Sequence, residues 1–220
     1  EHVIYKNAAK EMAAQDGMSI TFMAKYDQRE GNSCHIHISL ADEQGDNVFA
    51  TDDTLFDQFV AGLLATLREQ TLFLAPNINS YKRYAAGSFA PTAVAWGTDN
   101  RTCSLRVVGH GAGRRVECRA GGADLNPYLA VSALIAGGLH GIDNKLELEP
   151  ACAGNAYVSD HPRLPATLRD ARDAFGESAV VREAFGDEVV AHYLNNARIE
   201  LAAFDAAVTD WERVRGFERL

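Results

Sequence analysis

The segment RRVECRAGG contains the residues whose types and spacing are best suited to chemistry in this chain. Arg115, Glu117 and Arg119 alternate with Val116 and Cys118, so the three charged side chains share one face of a predicted strand. A carboxylate between two guanidiniums suits either a buried ion-pair ladder or a site that handles a metal and anions. Because charge ladders are commoner than active sites, this segment alone favours a solvated sheet rim.

A second alternating segment, CHIHISL, contributes two histidines. His35, His37 and Ser39 face one way in a predicted strand, and the apolar residues between them face the other. Two histidines at this spacing can approach the same ligand, but two ligands do not make a metal site. A further acidic ligand has to come from elsewhere in the chain, and Glu117 is the obvious candidate.

Periodic segments predict the elements that position these groups. Residues 102–108 alternate as a strand that carries Ser104 and Arg106 on its polar face, and residues 18–26 have strand composition. Helices are predicted for residues 2–14, for the apolar stripe that follows residue 53, and for most of the chain beyond residue 141. Asn126 and Pro127 begin a helix that is apolar nearly all round, so we expect it to be central and buried. Arg83 lies in a predicted loop, where an arginine is usually solvated, although loops also carry binding residues.

The composition is that of one ordinary globular domain. The 220 residues are 47% hydrophobic and 23% charged, with a formal net charge of −9, which argues against a nucleic-acid or anionic-membrane surface. The four cysteines form no CxxC pair, so free thiols in a reducing compartment are expected. The chain begins without Met inside a predicted helix, and we therefore expect further sequence upstream.

Five motifs resemble, in order and approximate spacing, the catalytic domain of glutamine synthetases. Each motif alone is weak, whereas the ordered set is specific and spans essentially all 220 residues. The resemblance is nearest to the bacterial type I-like branch, including relatives that join glutamate to amines other than ammonia. The motifs are His35-Ile36-His37-Ile38-Ser39, Asn79-Ser80-Tyr81-Lys82-Arg83, Asn100-Arg101 with Arg106, Arg115-Val116-Glu117-Cys118-Arg119, and Asn126-Pro127-Tyr128-Leu129.

The resemblance implies an α+β fold in which helices cover one face of a curved antiparallel sheet. It also implies that residues 1–220 are the C-terminal part of a catalytic domain whose other carboxylate ligands lie upstream, so the chain alone should be inactive. The full-length protein is expected to be a cytoplasmic, ring-shaped homo-oligomer, by resemblance a dodecamer, with neither nucleic-acid nor membrane partners. The polar face of the sheet should carry His35, His37, Arg106, Arg115, Glu117 and Arg119.

The same resemblance assigns roles to individual residues around ATP, a divalent metal (Mg²⁺ or Mn²⁺), glutamate and an amine or ammonia. Arg101 is the catalytic residue of the set, because it matches the arginine that steadies the transferring γ-phosphoryl group. His35 and Glu117 match metal ligands. The nucleotide contacts are His37, Ser39, Arg106 and Arg115, and the glutamate contacts are Gly31, Arg83, Arg101 and Arg119.

Departures from the family pattern bear on the substrate. The mobile flap of the family commonly reads Tyr-Glu-Ala-Pro, with a Glu that receives a proton from ammonium, whereas this chain has Ser88-Phe89-Ala90-Pro91. Phe89 can accept no proton, and its ring better suits the carbon chain of a larger amine. The segment Glu30-Gly31-Asn32-Ser33 replaces Asn-Gly-Ser-Gly, and Ala112 stands where relatives often have a nucleotide-side lysine.

Three functions therefore remain open from the sequence. The first is an ATP-dependent ligase that joins glutamate to an organic amine, which Phe89 favours. The second is an ammonia-using glutamine synthetase without the flap Glu. The third is a non-catalytic scaffold, which is disfavoured because a structural protein has no physical need for so many converging charges. The retained charged residues are His35, Glu117, Arg83, Arg101 and Arg119.

Overall fold

A computed structural model describes residues 1–219 of the chain. Its helices are α1 (His2–Gln15), α2 (Asp53–Leu74), α3 (Pro127–Asp143), α4 (Leu168–Glu177), α5 (Ala179–Ala206) and α6 (Asp210–Arg219). Its strands are β1 (Ile36–Ile38), β2 (Trp96–Thr98), β3 (Leu105–Val108) and β4 (Arg115–Cys118). Short 3-10 helices occupy Val48–Ala50, Ile78–Arg83, Gly111–Gly113 and Ala156–Val158.

The four strands form one sheet in the order β1-β4-β3-β2. β4 runs antiparallel to both β1 and β3, as predicted, but β2 runs parallel to β3, so the sheet is mixed rather than purely antiparallel. The register places His37 opposite Glu117, and Glu117 opposite Arg106. Because side chains opposite each other in neighbouring strands share a face, one histidine, one carboxylate and one guanidinium form a continuous polar row across three strands.

The opposite face of the sheet is apolar and is covered by α2 and α3. Alternation along β3 and β4 turns their remaining side chains towards these helices, as the sequence predicts. The sequence predicts Asp53 or Thr54 as the cap of α2, but Asp52 is the cap and accepts a hydrogen bond from the Leu55 backbone N–H. The buried core between sheet and helices contains Leu105, Val107, Val116 and Cys118 from the strands and Phe59, Leu63, Leu67 and Leu134 from the helices.

Glycine lets α2 and α3 approach backbone to backbone. A Cβ atom on Gly62 would lie 2.2 Å from the Gly137 carbonyl oxygen, and one on Gly141 would lie 2.0 Å from the Gln58 carbonyl oxygen. The prediction that α3 is buried all round is wrong. Its glycine and alanine face is buried, but Tyr128, Val131, Ile135 and Leu139 are exposed along the other side.

The C-terminal third is helical, as predicted. α4 and α5 form a second core with the end of α2, and Phe73 lies 4.9 Å from Phe175 between ring centroids. The sequence predicts a short helix over residues 178–185 and a long one from residue 187, and the structure places Gly186, with a φ of 79°, as a break within α5 at this boundary. Residues 18–26, which have strand composition, form no strand. Within residues 1–219, none of the helices has the length and apolar character needed to cross a membrane.

Candidate active site

Glu117 lies at the centre of the polar face, and its side chain is 4% exposed. Its Oε1 atom is 2.9 Å from His35 Nδ1 and 3.0 Å from Arg119 Nη1. Its Oε2 atom accepts a hydrogen bond from Arg106 Nη1 at 3.1 Å. His37 Nε2 lies further away, at 3.7 Å from Oε1. Four side chains predicted for the site therefore surround one predicted carboxylate.

The protonation states follow from this packing. Burial opposes the ionisation of Glu117, but hydrogen bonds from Arg106 and Arg119 outweigh it and hold the pKa of the carboxyl below its usual value. Burial, together with the nearby Arg119 charge, lowers the pKa of His35. A neutral His35 that contacts a carboxylate through Nδ1 must donate its proton there, because the carboxylate cannot donate. The lone pair of His35 Nε2 is then free to bind a cation.

The metal-binding prediction for His35 and Glu117 fits this geometry as part of a ligand set. Neutral imidazole and carboxylate are both donors for divalent cations. Among residues 1–219, however, no group of three or more histidine, cysteine or acidic side chains is arranged to hold a metal ion. His35 and Glu117 are therefore a pair of candidate ligands among the described residues.

Two arginines of the central strands link the cluster to further polar side chains. Arg106 also donates from Nε to Asp99 Oδ1 at 2.9 Å, so its charge is shared between a buried and an exposed carboxylate. Arg115 donates from Nε to His37 Nδ1 at 3.2 Å. Asp99 was not predicted as a site residue. In the sequence, Asp99 is marked only by the short polar segment that follows Thr98. In the structure, it lies in a turn with a φ of 50°.

Arg83 lies beside this cluster and is 2% exposed. Among the residues that the structure describes, its guanidinium hydrogen-bonds only to neutral groups, which include Ser33 Oγ at 3.1 Å and the carbonyl oxygen of Ala120. Its Nε atom is buried without a partner, and burial lowers its pKa. Gly31 packs closely on it, since a Cβ there would lie 2.6 Å from Arg83 Cγ. A buried cation without a carboxylate is suited to an incoming anion.

The segment around Phe89 is anchored to the same face. The Phe89 carbonyl oxygen accepts a hydrogen bond from Arg119 Nη2 at 3.2 Å, and the Ala90 carbonyl accepts one from the Tyr157 hydroxyl at 3.0 Å. Phe89 is 56% exposed, and its backbone has a φ of 57°. The backbone is thus tied to the charged cluster while an aromatic ring faces outwards beside it.

The geometry of this face agrees with comparisons to known proteins. The family model described as the catalytic domain of glutamine synthetase matches residues 1–215. The chain belongs to the glutamine synthetase family. It is 60% identical over 223 residues to the gamma-glutamylethanolamide synthetase of Streptomyces coelicolor, covering 100% of this chain and 48% of the relative. It is 42% identical over 224 residues to a glutamate–isopropylamine ligase of a Pseudomonas species, covering 97% of this chain and 49% of the relative.

A solved structure of the same family supports the fold. A complex of GmaS with ADP superimposes with a TM-score of 0.90 and 29% sequence identity, covering 99% of this chain and 53% of that chain. The α+β catalytic-domain fold expected from the motifs is therefore confirmed, with the mixed sheet described above. The chain spans about half the length of these family members.

Two residues that the family resemblance assigns to the site, Arg101 and Ser39, are not among the side chains that surround Glu117. Arg101 and Ser39 are exposed, and neither side chain hydrogen-bonds to another residue in the part of the chain that the structure describes. Arg101 lies in the turn before β3, near enough to Asp99 to help lower the pKa of that carboxyl. Their family roles remain predictions. Tyr157 was missed because its contact with Ala90 spans 67 residues and leaves no local pattern.

Proposed function

We propose that the full-length protein is an ATP-dependent ligase that activates glutamate as γ-glutamyl phosphate and joins it to an organic amine. The observation that carries this proposal is Phe89. Its backbone is bonded to Arg119 of the charged cluster, and an exposed ring stands where an ammonia-using relative would present a carboxylate. The relatives named for ethanolamide and isopropylamine products support the same conclusion.

The nucleotide is assigned to the outer part of the polar face. Arg115 donates to His37. Both His37 and Arg106 contact Glu117, so two guanidiniums lie where they can approach phosphate oxygens. Ser39 follows His37 by two residues. Arginine forks suit phosphates because they offer two parallel donors. Arg106 would exchange its exposed partner Asp99 for a phosphate while it keeps its bond to Glu117.

Glutamate is assigned to the buried arginine. Arg83 would pair with a substrate carboxylate, Gly31 leaves the space beside it, and Arg119 contributes a second guanidinium. Arg101 would steady the γ-phosphoryl group during transfer. The γ-carboxylate oxygen then attacks the γ-phosphorus while the bond to the bridging oxygen of ADP breaks. Arginine side chains that are already in position lower this barrier, because they stabilise the negative charge on the phosphoryl group in the transition state.

His35 and Glu117 would hold the divalent cation, Mg²⁺ or Mn²⁺, together with ligands from outside residues 1–219. The bound cation would supply positive charge against the phosphates. In the second step the amine nitrogen attacks the acyl carbon and inorganic phosphate leaves. Phe89 binds the carbon chain of the amine and does not remove its proton, so that proton passes to another group or to water.

The assembly is also part of the proposal. We expect the chain to form the C-terminal part of a catalytic domain whose site is completed by upstream sequence and by a neighbouring subunit of a ring-shaped homo-oligomer in the cytoplasm. The runner-up function is an ammonia-using glutamine synthetase. It requires that Phe89 serve only in packing.

Phosphate release by the full-length protein with ATP, Mg²⁺, glutamate and a panel of amines tests the proposal. Ethanolamine, isopropylamine or a polyamine should be used in preference to ammonia. Phe89→Glu should raise activity with ammonia and lower it with the organic amine, because a positioned base contributes on the order of 10²-fold or more. Phe89→Leu is the matched control, since it keeps apolar area and should keep the preference. A wild type that prefers ammonia to every amine would overturn the proposal in favour of the runner-up.

A further inference from the structure

Two of the four free cysteines meet outside the charged cluster. Cys103 lies in the turn between β2 and β3 and is fully buried, whereas Cys152 is partly exposed in the segment that follows α3. They pack in one small cluster with Ala93, Ala95 and Ala156. The Cys152 thiol donates to the Gly154 carbonyl oxygen at 3.6 Å. Two thiols packed in one cluster differ from an isolated buried cysteine, because the two sulfurs can bond to each other.

The backbone holds the two segments together at several points. The Cys152 N–H donates to the Trp96 carbonyl at 2.8 Å, and Asn100 Nδ2 donates to the Cys152 carbonyl at 3.0 Å. The Ala156 N–H donates to Thr102 Oγ1 at 2.9 Å. A disulfide requires two Cα atoms close together, and these bonds hold the backbones of both cysteines in place.

Gly97 makes this approach possible. A Cβ atom at this position would lie 2.9 Å from the Cys152 carbonyl oxygen and 3.3 Å from Cys103 Sγ. A side chain there would crowd both cysteines at once. The absence of a side chain at Gly97 therefore leaves room for the sulfur of Cys103 beside the backbone of Cys152.

We propose that Cys103 and Cys152 form a reversible disulfide when a peroxide oxidises the protein. The peroxide O–O bond breaks as Cys152 sulfur takes one oxygen to become a sulfenic acid, and the other oxygen leaves as water. Cys103 sulfur then attacks Cys152 sulfur, the S–O bond breaks, and a second water carries away the Cys103 proton. Two thiols are oxidised and one peroxide is reduced to two waters.

The order of these steps follows from exposure. Cys152 is the thiol that solvent can reach, whereas Cys103 is fully buried, so the oxidant reaches Cys152 first. Cys103 therefore acts as the resolving partner, and it loses its proton as its sulfur attacks the sulfenic acid of Cys152.

The position of the pair links it to the proposed active site. Cys103 follows Arg101 by two residues, and the carbonyl of its neighbour Ser104 accepts the backbone N–H of Arg119 at 2.9 Å. An S–S bond, at about 2.0 Å, is shorter than a contact between thiols, so closure draws the turn towards residues 152–154. Oxidation should therefore lower ligase activity, a consequence that rests on the proposed function.

The test exposes the full-length protein to hydrogen peroxide, blocks remaining thiols with N-ethylmaleimide, and maps peptides by mass spectrometry. The expected product is a cross-linked peptide pair containing Cys103 and Cys152 that has lost two hydrogen atoms and separates on treatment with dithiothreitol. Cys152→Ser and Cys103→Ala should each abolish it. Cys34→Ser is the matched control, because Cys34 is also partly exposed but packs on the main core, and this variant should still cross-link.

Peptide mapping is independent of activity, so it separates this proposal from the proposed function. A cross-link through Cys34, or overoxidation of Cys152 without any cross-link, would overturn the disulfide. Ligase activity of the wild type should fall several-fold on oxidation and return with dithiothreitol, while Cys152→Ser stays active. Unchanged activity with the cross-link in place would overturn the regulatory consequence. A reduced protein without ligase activity would instead count against the proposed function.

Discussion

Two buried arginines near the candidate active site have opposite electrostatic environments. Arg119 donates to Glu117 Oε1 at 3.0 Å, and that carboxylate also contacts Arg106 and His35. Arg83 is equally buried but, among the described residues, its guanidinium hydrogen-bonds only to uncharged groups. The positive charge of Arg119 is therefore neutralised by a carboxylate of the same chain, whereas that of Arg83 has no such partner within residues 1–219 and is suited to binding an anion.

The difference suggests how each region meets its ligand. A cation or phosphate that enters the Glu117 cluster must replace an existing partner, so binding there is an exchange whose net free energy is modest. An anion that reaches Arg83 completes an unsatisfied group and gains the full value of a charge-assisted hydrogen bond. Substitutions should therefore cost more stability in the region around Glu117 than in the region around Arg83.

The largest expected effect is that of Glu117→Gln. Removing this charge leaves Arg106 and Arg119 uncompensated in a buried setting, and breaking such a network typically costs about 3 kcal/mol or more. Urea unfolding should detect this loss. Glu149→Gln makes the same chemical change at a site that is 46% exposed, and it should shift stability by no more than about 0.5 kcal/mol. Equal losses of stability in the two variants would show that the buried Glu117 contributes no more to stability than an exposed carboxylate does.

Arg83→Met should give the opposite pattern. An apolar side chain of similar length replaces an unpaired buried charge, so stability should change by no more than about 1 kcal/mol. The Ala120 carbonyl would keep its hydrogen bond from the Tyr84 hydroxyl, at 2.9 Å. In the full-length enzyme, the KM for glutamate should rise on the order of 10²-fold, the loss expected for a charged hydrogen-bond partner. Lys82→Met, at the exposed neighbouring residue, is the control and should leave the KM for glutamate unchanged.

The smallest effect is expected from Asp99→Asn. This substitution weakens the exposed ion pair of Arg106 and leaves its buried partner, Glu117, in place. The Asp99 side chain is 74% exposed, and an exposed ion pair contributes little, so the melting temperature should stay within about 1 °C. A neutral side chain at residue 99 competes less with phosphate for Arg106, so the KM for ATP should fall by roughly two- to fivefold. Asp205→Asn removes a comparable exposed partner from Arg169 and serves as the control. A KM for ATP that rises would mean that Asp99 orients Arg106 instead of competing for it.

The strand that carries the site was predictable because its pattern is local. Alternation alone places Arg115 and Glu117 on one face, and the same rule places His35 with His37. The burial of Arg83 was not predictable, since it depends on Ser33 and Ala120, which are distant in sequence. A loop arginine is usually solvated, and no local signal distinguishes this one.

The remaining differences in the fold have the same origin. β2 has three residues with Gly97 at its centre, too short and too weak a pattern to identify without its partner β3. Residues 18–26 have the composition of a strand but no neighbouring strand to pair with. In α3 an apolar composition predicts burial all round, whereas only the face with glycine and alanine fits against α2. Strand pairing and the close packing of two helices depend on tertiary contacts, so composition alone does not predict them.

The backbone at Phe89 also limits how this family member can evolve. A φ of 57° is sterically unfavourable for β-branched side chains and easiest for glycine and asparagine. Valine, isoleucine and threonine are therefore poor replacements at the position where amine choice is proposed to be made. Natural or laboratory diversification of the substrate range should draw on a restricted set of amino acids here, with larger changes in preference reached through neighbouring positions.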